Sequence, residues 1–131
     1  MSDTEPISTD GAPSNDNPYS QGVRAGDTLH VAGYGPGDPE TDEAVDGDIE
    51  AQTDRVLENI AAVVSEAGGD GLADVVKVTV YLTDLEDYER VNEAYGEKFG
   101  EAPPARVCVE VSRLPEDVRV EMDATAYLGS Q

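Results

Sequence analysis

One cation interrupts a largely apolar run near the C-terminal end of the chain, Pro103-Pro104-Ala105-Arg106-Val107-Cys108-Val109-Glu110-Val111. A charge in a Val-rich strand is costly to desolvate unless an anion meets it. Cations are scarce in this sequence, with eight Lys plus Arg against 29 Asp plus Glu. A guanidinium matches a carboxylate in bidentate geometry, which makes Arg106 a candidate clamp for a ligand carboxylate. The same pattern also fits a structural arginine paired with one of the many acids.

Strand alternation brings further groups into consideration. Across the last segment Val118, Val120, Met122, Ala124 and Ala126 share one face, and Arg119, Glu121, Asp123 and Tyr127 share the other. In the preceding segment Val107, Val109 and Val111 lie opposite Arg106, Cys108, Glu110 and Ser112. If both valine faces meet the helices, Arg106, Cys108 and Glu121 converge on a helix-free side. A four-residue connection, Arg113 to Glu116, then pairs Ser112 with Asp117 and sets Cys108 beside Glu121. Mixed polar and apolar faces of this kind pack against other subunits and line small-molecule sites. A ligand-free Arg106–Glu121 ion pair fits the pattern equally.

The elements that must position these groups can be read along the chain. Residues 1–17 are polar and aperiodic and read as a loosely held lead-in, leaving 18–131 as a single domain. Tyr19–Arg24 and Thr28–Ala32 flank a turn at Ala25-Gly26-Asp27. Gly33–Gly47 is a loop with a brief strand near Glu43–Val45. Helical spacing of Val56, Leu57, Ile60, Val63, Val64 and Ala67 defines a helix from Ile49 that Gly68-Gly69 stops. The β-branched run Val75–Leu82 reads as a strand covered on both faces. Asp84 reads as the N-cap of a second helix with the stripe Tyr88, Val91, Tyr95 and Phe99, its two tyrosines expected in the core. Strands at Arg106–Ser112 and Val118–Leu128 complete the order β-β-α-β-α-β-β, an α+β arrangement with two helices on one face of a mixed or antiparallel sheet.

Composition narrows the function classes. The net charge is −21 over 131 residues, with the acids spread through periodic apolar segments rather than gathered in a tail. That is expected of a folded protein in molar salt, where the Debye length is about 3 Å, and so of a halophilic archaeon. It opposes nucleic-acid binding, which needs basic patches. One cysteine leaves no internal disulfide, and no Cys/His cluster reads as a metal site. The acidic runs Asp38–Asp48 and Glu116-Asp117 read as solvated loops, and the lone His30 as a surface or packing residue. Gly68-Gly69-Asp70-Gly71 is a helix stop and not a phosphate loop. The start of the chain has neither the basic residues nor the apolar run of a secretion signal, and no segment approaches bilayer length; a cytoplasmic location is expected.

The ordered set Pro18-Tyr19-Ser20-Gln21, Gln52, Asn59-Ile60, Val76-Lys77-Val78-Thr79-Val80-Tyr81-Leu82, Val91-Asn92-Glu93-Ala94-Tyr95, Phe99, Pro104-Ala105-Arg106, Leu114-Pro115 and Val120-Glu121 resembles the reactive-intermediate deaminase A (RidA, or YjgF) family from about Ile7 to Ala126. The resemblance implies a chorismate-mutase-like α+β two-layer sandwich assembled as a homotrimer, with sites in clefts between subunits. It implies a cofactor-independent hydrolytic deaminase of 2-imino and enamine acids such as 2-iminobutanoate and 2-iminopropanoate. Carried over by position, Arg106 binds the substrate carboxylate and Glu121 orients the water. Tyr19, Cys108, Ala32 and Gly33 line the pocket, and Asn92 supports its helix. An imine hydrolyses in water unaided, so orientation matters more than force. The chain departs from the family pattern at Ala32-Gly33-Tyr34, where Ser-Gly-Gln is usual, and at Asn17 in place of Gly. The alternative is a non-catalytic trimeric module holding a small carboxylate or amino acid in the same cleft.

Overall fold

The computed structural model describes residues 3–129. Its strands are β1 (Thr4–Ile7), β2 (Gly22–Ala25), β3 (Thr28–Tyr34), β4 (Val75–Leu82), β5 (Ala105–Glu110) and β6 (Val120–Tyr127). The helices are α1 (Ile49–Glu66) and α2 (Tyr88–Phe99). One six-stranded sheet runs β1-β2-β3-β6-β4-β5. Only β4 and β5 are parallel, and the remaining neighbours are antiparallel. This is the expected α+β sandwich, two helices packed on a mixed sheet.

Helix α1 forms because an apolar stripe every three to four residues can be buried whole: Val56, Leu57, Ile60, Val63 and Val64 have no exposed surface. Each such side chain contributes about 1.5–3 kcal/mol by leaving water. Asp48 caps the helix by accepting from the Ala51 N–H, and Gly68, at φ 98°, follows its end. In the same core lie Leu29 and Val31 of β3, Val78, Val80 and Leu82 of β4, and Val120 and Met122 of β6. Ion pairs from Arg90 to Glu50 and from Lys98 to Glu58 link α2 to α1 at the surface.

The chain differs from the sequence expectation in three ways. The lead-in is not loose, because Thr4–Ile7 pairs with β2 as an edge strand. Behind it the amide of Gln21, buried, bonds both backbone groups of Thr9 and the carbonyls of Ala12 and Pro13. No apolar period announces this segment, since past β1 the chain is held by side-chain bonds and not by a buried stripe. Secondly, Asp84 caps a separate turn of 3-10 helix, Leu85–Asp87, and α2 begins only at Tyr88.

The third difference decides the site. Strands β5 and β6 are not neighbours, because β4 lies between them. Helix α2 carries the chain from β4 to a parallel β5. The segment after β5 then crosses the end of β4, with Val111 N–H bonded to Leu82 O and Thr83 N–H to Arg119 O. Positive φ at Glu116 and Asp117 shapes this crossing, so the connection is no hairpin. Ser112 does not pair with Asp117, and Cys108 does not lie beside Glu121; its register partner is Val80.

Candidate active site

Alternation in β6 works as the sequence indicates. Val120, Met122, Ala124 and Ala126 are buried under the helices, and Glu121 and Asp123 take the opposite face. In β5 the faces are reversed from expectation. Val107 and Val109 are 46% and 38% exposed, while Arg106 and Cys108 turn toward α2. Parallel pairing explains the reversal: Arg106 shares its register with the buried Val78, and Cys108 with the buried Val80. Arg106 and Glu121 of one chain therefore lie on opposite faces of the sheet.

On the helix-free side is a cleft of about 710 Å³ that brings Tyr19, Ala32, Gly33 and Glu121 together. A bulge in β3 between Val31 and Tyr34 sets Gly33 under Glu121. A β-carbon at Gly33 would stand 2.7 Å from Glu121 Oε2, so any larger residue there displaces the carboxylate. Burial, and secondarily the Asp123 charge, raise the Glu121 pKa from its ordinary 4.5. Among the described residues no hydrogen bond or ion pair engages that carboxylate. Asp123 itself accepts from the Tyr81 hydroxyl at 3.0 Å. Tyr19 is half-exposed at the rim, and its hydroxyl accepts from Asn15.

Two further side chains shape this cleft. Asn59, fully buried in α1, donates to the carbonyls of Gly35 and Gly37 and so pins the loop that forms one wall. Tyr34 lines the cleft yet is buried at its base. Its hydroxyl donates to Pro13 O, and burial pushes its pKa up to about 12. The sequence signalled Tyr34 only as a departure from pattern. Asn59, a polar residue amid a helix's apolar stripe, was the readable sign of a buried clamp.

On the helix side Arg106 occupies an aromatic cradle. Its guanidinium carbon lies 4.9 Å from the Tyr95 ring centroid and 5.5 Å from that of Tyr88. Its Nη2 donates to the Tyr88 hydroxyl at 3.2 Å. No carboxylate forms an ion pair with it among the described residues, which removes the reading of Arg106 as a structural ion-pair member within one chain. Tyr95 is buried as expected, whereas Tyr88 is 40% exposed and is no core residue. Burial pushes the Cys108 thiol pKa up, against a smaller opposing effect of Arg106. A raised thiol pKa disfavours the thiolate at neutral pH. Asn92 is half-buried on α2, and His30 is exposed in β3. No group of three or more His, Cys, Asp or Glu is arranged to hold a metal among the described residues, and no helix there is long and apolar enough to cross a membrane.

A single mixed six-stranded sheet with two helices on one face and a cleft on the other is a two-layer α+β fold. Residues 9–128 match the family model described as endoribonuclease L-PSP. The chain is 58% identical over 123 residues to a RutC family protein of Pyrococcus abyssi, covering 94% of this chain and 96% of that one. It is 46% identical over 123 residues to the 2-iminobutanoate/2-iminopropanoate deaminase of Salmonella typhimurium, covering 92% and 94%. The structure of E. coli TdcF with bound serine superposes with a TM-score of 0.89 at 40% identity, covering 94% and 98%. The chain thus belongs to the endoribonuclease L-PSP family, which takes in the RutC and RidA proteins.

Proposed function

We propose that the protein hydrolyses reactive 2-imino and enamine acids, 2-iminopropanoate and 2-iminobutanoate among them, to 2-oxo acids and ammonia. The observation that carries this reading is Glu121, an unpaired, half-buried carboxylate of raised proton affinity in an open cleft. Identity with the Salmonella deaminase supports it. A water held by Glu121 adds to the imine carbon, and the carboxylate takes its proton. The proton passes to nitrogen to give a carbinolamine. The carboxylate then takes the hydroxyl proton and delivers it to nitrogen as the carbonyl forms, so that the C–N bond breaks and ammonia leaves. An enamine first takes a proton at carbon to give the imine. General acid–base help of this kind is worth about 10²–10⁴-fold.

Arg106 takes the substrate carboxylate. Because it and Glu121 face opposite sides of one sheet, the anchor at each cleft is Arg106 of the partner subunit, in a homotrimer. Exposed Val107, Val109 and Tyr127 on the helix-free face supply apolar surface for such an assembly. Tyr19, Ala32 and Gly33 line the cleft floor and rim. The protein works in the cytoplasm of a halophile, and the charge of −21 is its adaptation to salt; unfolding scans should give a higher Tm in 2 M than in 0.1 M KCl, and equal values would reject that adaptation.

The serine held by TdcF favours keeping a second reading, a module that binds an amino acid or small carboxylate without turnover. Nuclease activity, as the family description has it, is not adopted, since the net charge repels a phosphate backbone. The deciding experiment follows freshly generated 2-iminopropanoate in molar KCl with the parent protein and Arg106→Ala. The deaminase reading expects acceleration that Arg106→Ala reduces by about 10²-fold, the size of effect seen when a buried charge pair loses one partner. No acceleration by folded parent protein transfers the cleft to the binding module.

A further inference from the structure

In a chain with 29 carboxylates, the Arg106 guanidinium rests on two aromatic rings, and the two supports differ. Tyr95 is 5% exposed and packs on Phe99 with ring centroids 4.6 Å apart, so the core fixes it. Tyr88 is 40% exposed at the first residue of α2, and its hydroxyl accepts from Arg106 Nη2 at 3.2 Å. A phenol oxygen that accepts a hydrogen bond still has its own proton to donate. A ring face attracts a guanidinium without neutralising it, and a phenylalanine would supply that face as well as a tyrosine. The Tyr88 hydroxyl adds an O–H donor next to the guanidinium fork, at a solvent-facing position.

We propose that Tyr88 belongs to the carboxylate subsite: its hydroxyl orients Arg106 and donates to one oxygen of the carboxylate that Arg106 binds. The carboxylate then meets N–H donors from the fork and one O–H, a combination that favours an acid over its neutral amide. The inference rests on the reading of Arg106 as the carboxylate anchor. It concerns binding and is independent of turnover.

The test measures the Kd of pyruvate and of its neutral amide, pyruvamide, by calorimetry in molar KCl. The intact parent protein is compared with Tyr88→Phe and Arg106→Ala, each checked by circular dichroism. Tyr88→Phe keeps the ring at an exposed site. It is expected to weaken pyruvate by about tenfold, the worth of one hydrogen bond to a charged group, and to leave pyruvamide unchanged. Equal weakening of both ligands, or no weakening of pyruvate, would overturn the role of Tyr88. If Arg106→Ala abolishes pyruvate binding while Tyr88→Phe does not affect it, only Tyr88 loses its assignment. If Arg106→Ala leaves pyruvate binding intact, or the parent protein does not bind pyruvate, the anchor reading falls and the subsite falls with it.

Discussion

The two candidate groups stand two strands apart on opposite faces of one sheet, and they are kept reactive by opposite means. Glu121 is an anion raised in basicity by burial and by a like-charged neighbour, Asp123. Arg106 is a cation supported by ring faces that leave its charge intact. Either would be neutralised if the two shared a face on adjacent strands. Inserting β4 between β5 and β6 keeps them apart. Topology, and not the scarcity of partners, leaves both groups free in a chain where carboxylates outnumber cations more than threefold.

The largest test of this contrast removes the anion. Glu121→Gln should lower imine hydrolysis by about 10²–10⁴-fold while raising Tm at neutral pH. The sign comes from the raised pKa. The folded state holds the Glu121 proton more tightly than the unfolded chain, so stability is lost as pH rises above the ordinary 4.5 through the folded value, and charging Glu121 costs stability at pH 7. The Tm gain should shrink as pH falls through the folded value toward 4.5 and vanish below 4.5; a variant less stable than the parent at pH 7 would contradict the cause assigned to the shift.

A second test breaks the contrast across copies. Arg106→Ala and Glu121→Gln, each strongly impaired alone, should regain a substantial part of parental activity when unfolded together and reassembled, because some clefts then receive both groups from different chains. Continued inactivity of mixed, folded oligomers would place both groups at one chain's site and contradict the opposed faces. The smallest effect sharpens the electrostatics. Asp123→Asn removes the like charge and should move the acid limb of the kcat/KM profile to lower pH without abolishing turnover. An unmoved limb would leave burial as the sole cause of the Glu121 shift.

Much of the fold was legible because its elements are periodic. The α1 stripe, the β4 run and the alternation of β6 each survive in the structure at nearly their expected limits. Adjacency was the failure. Alternation in β5 separates Val107 and Val109 from Arg106 and Cys108, but it does not say which set meets the helices, since an apolar face can be buried by another copy as well as by a helix. The short stretch Arg113–Glu116 looked like a hairpin turn because loop length alone suggests one. Its left-handed residues, Glu116 and Asp117, are not glycines and gave no warning. Tyr19, Ala32, Gly33 and Glu121 line one cleft, while Arg106 and Cys108 are not part of it within one chain. The Tyr88 contact was hidden because a tyrosine in a helical stripe reads as core.

The connection from β1 to β2 has a consequence for how such a cleft can change. Its residues form one rim of the pocket, yet they hang from the side chains of Gln21 and Tyr34 and not from a strand ladder. A ladder propagates any insertion as a register error, whereas a tethered rim can gain or lose residues between its anchor points. The pocket's volume can therefore be edited in that segment while β1 and β2 remain paired and the core untouched, which separates heritable change in cleft size from the cost of refolding the sheet.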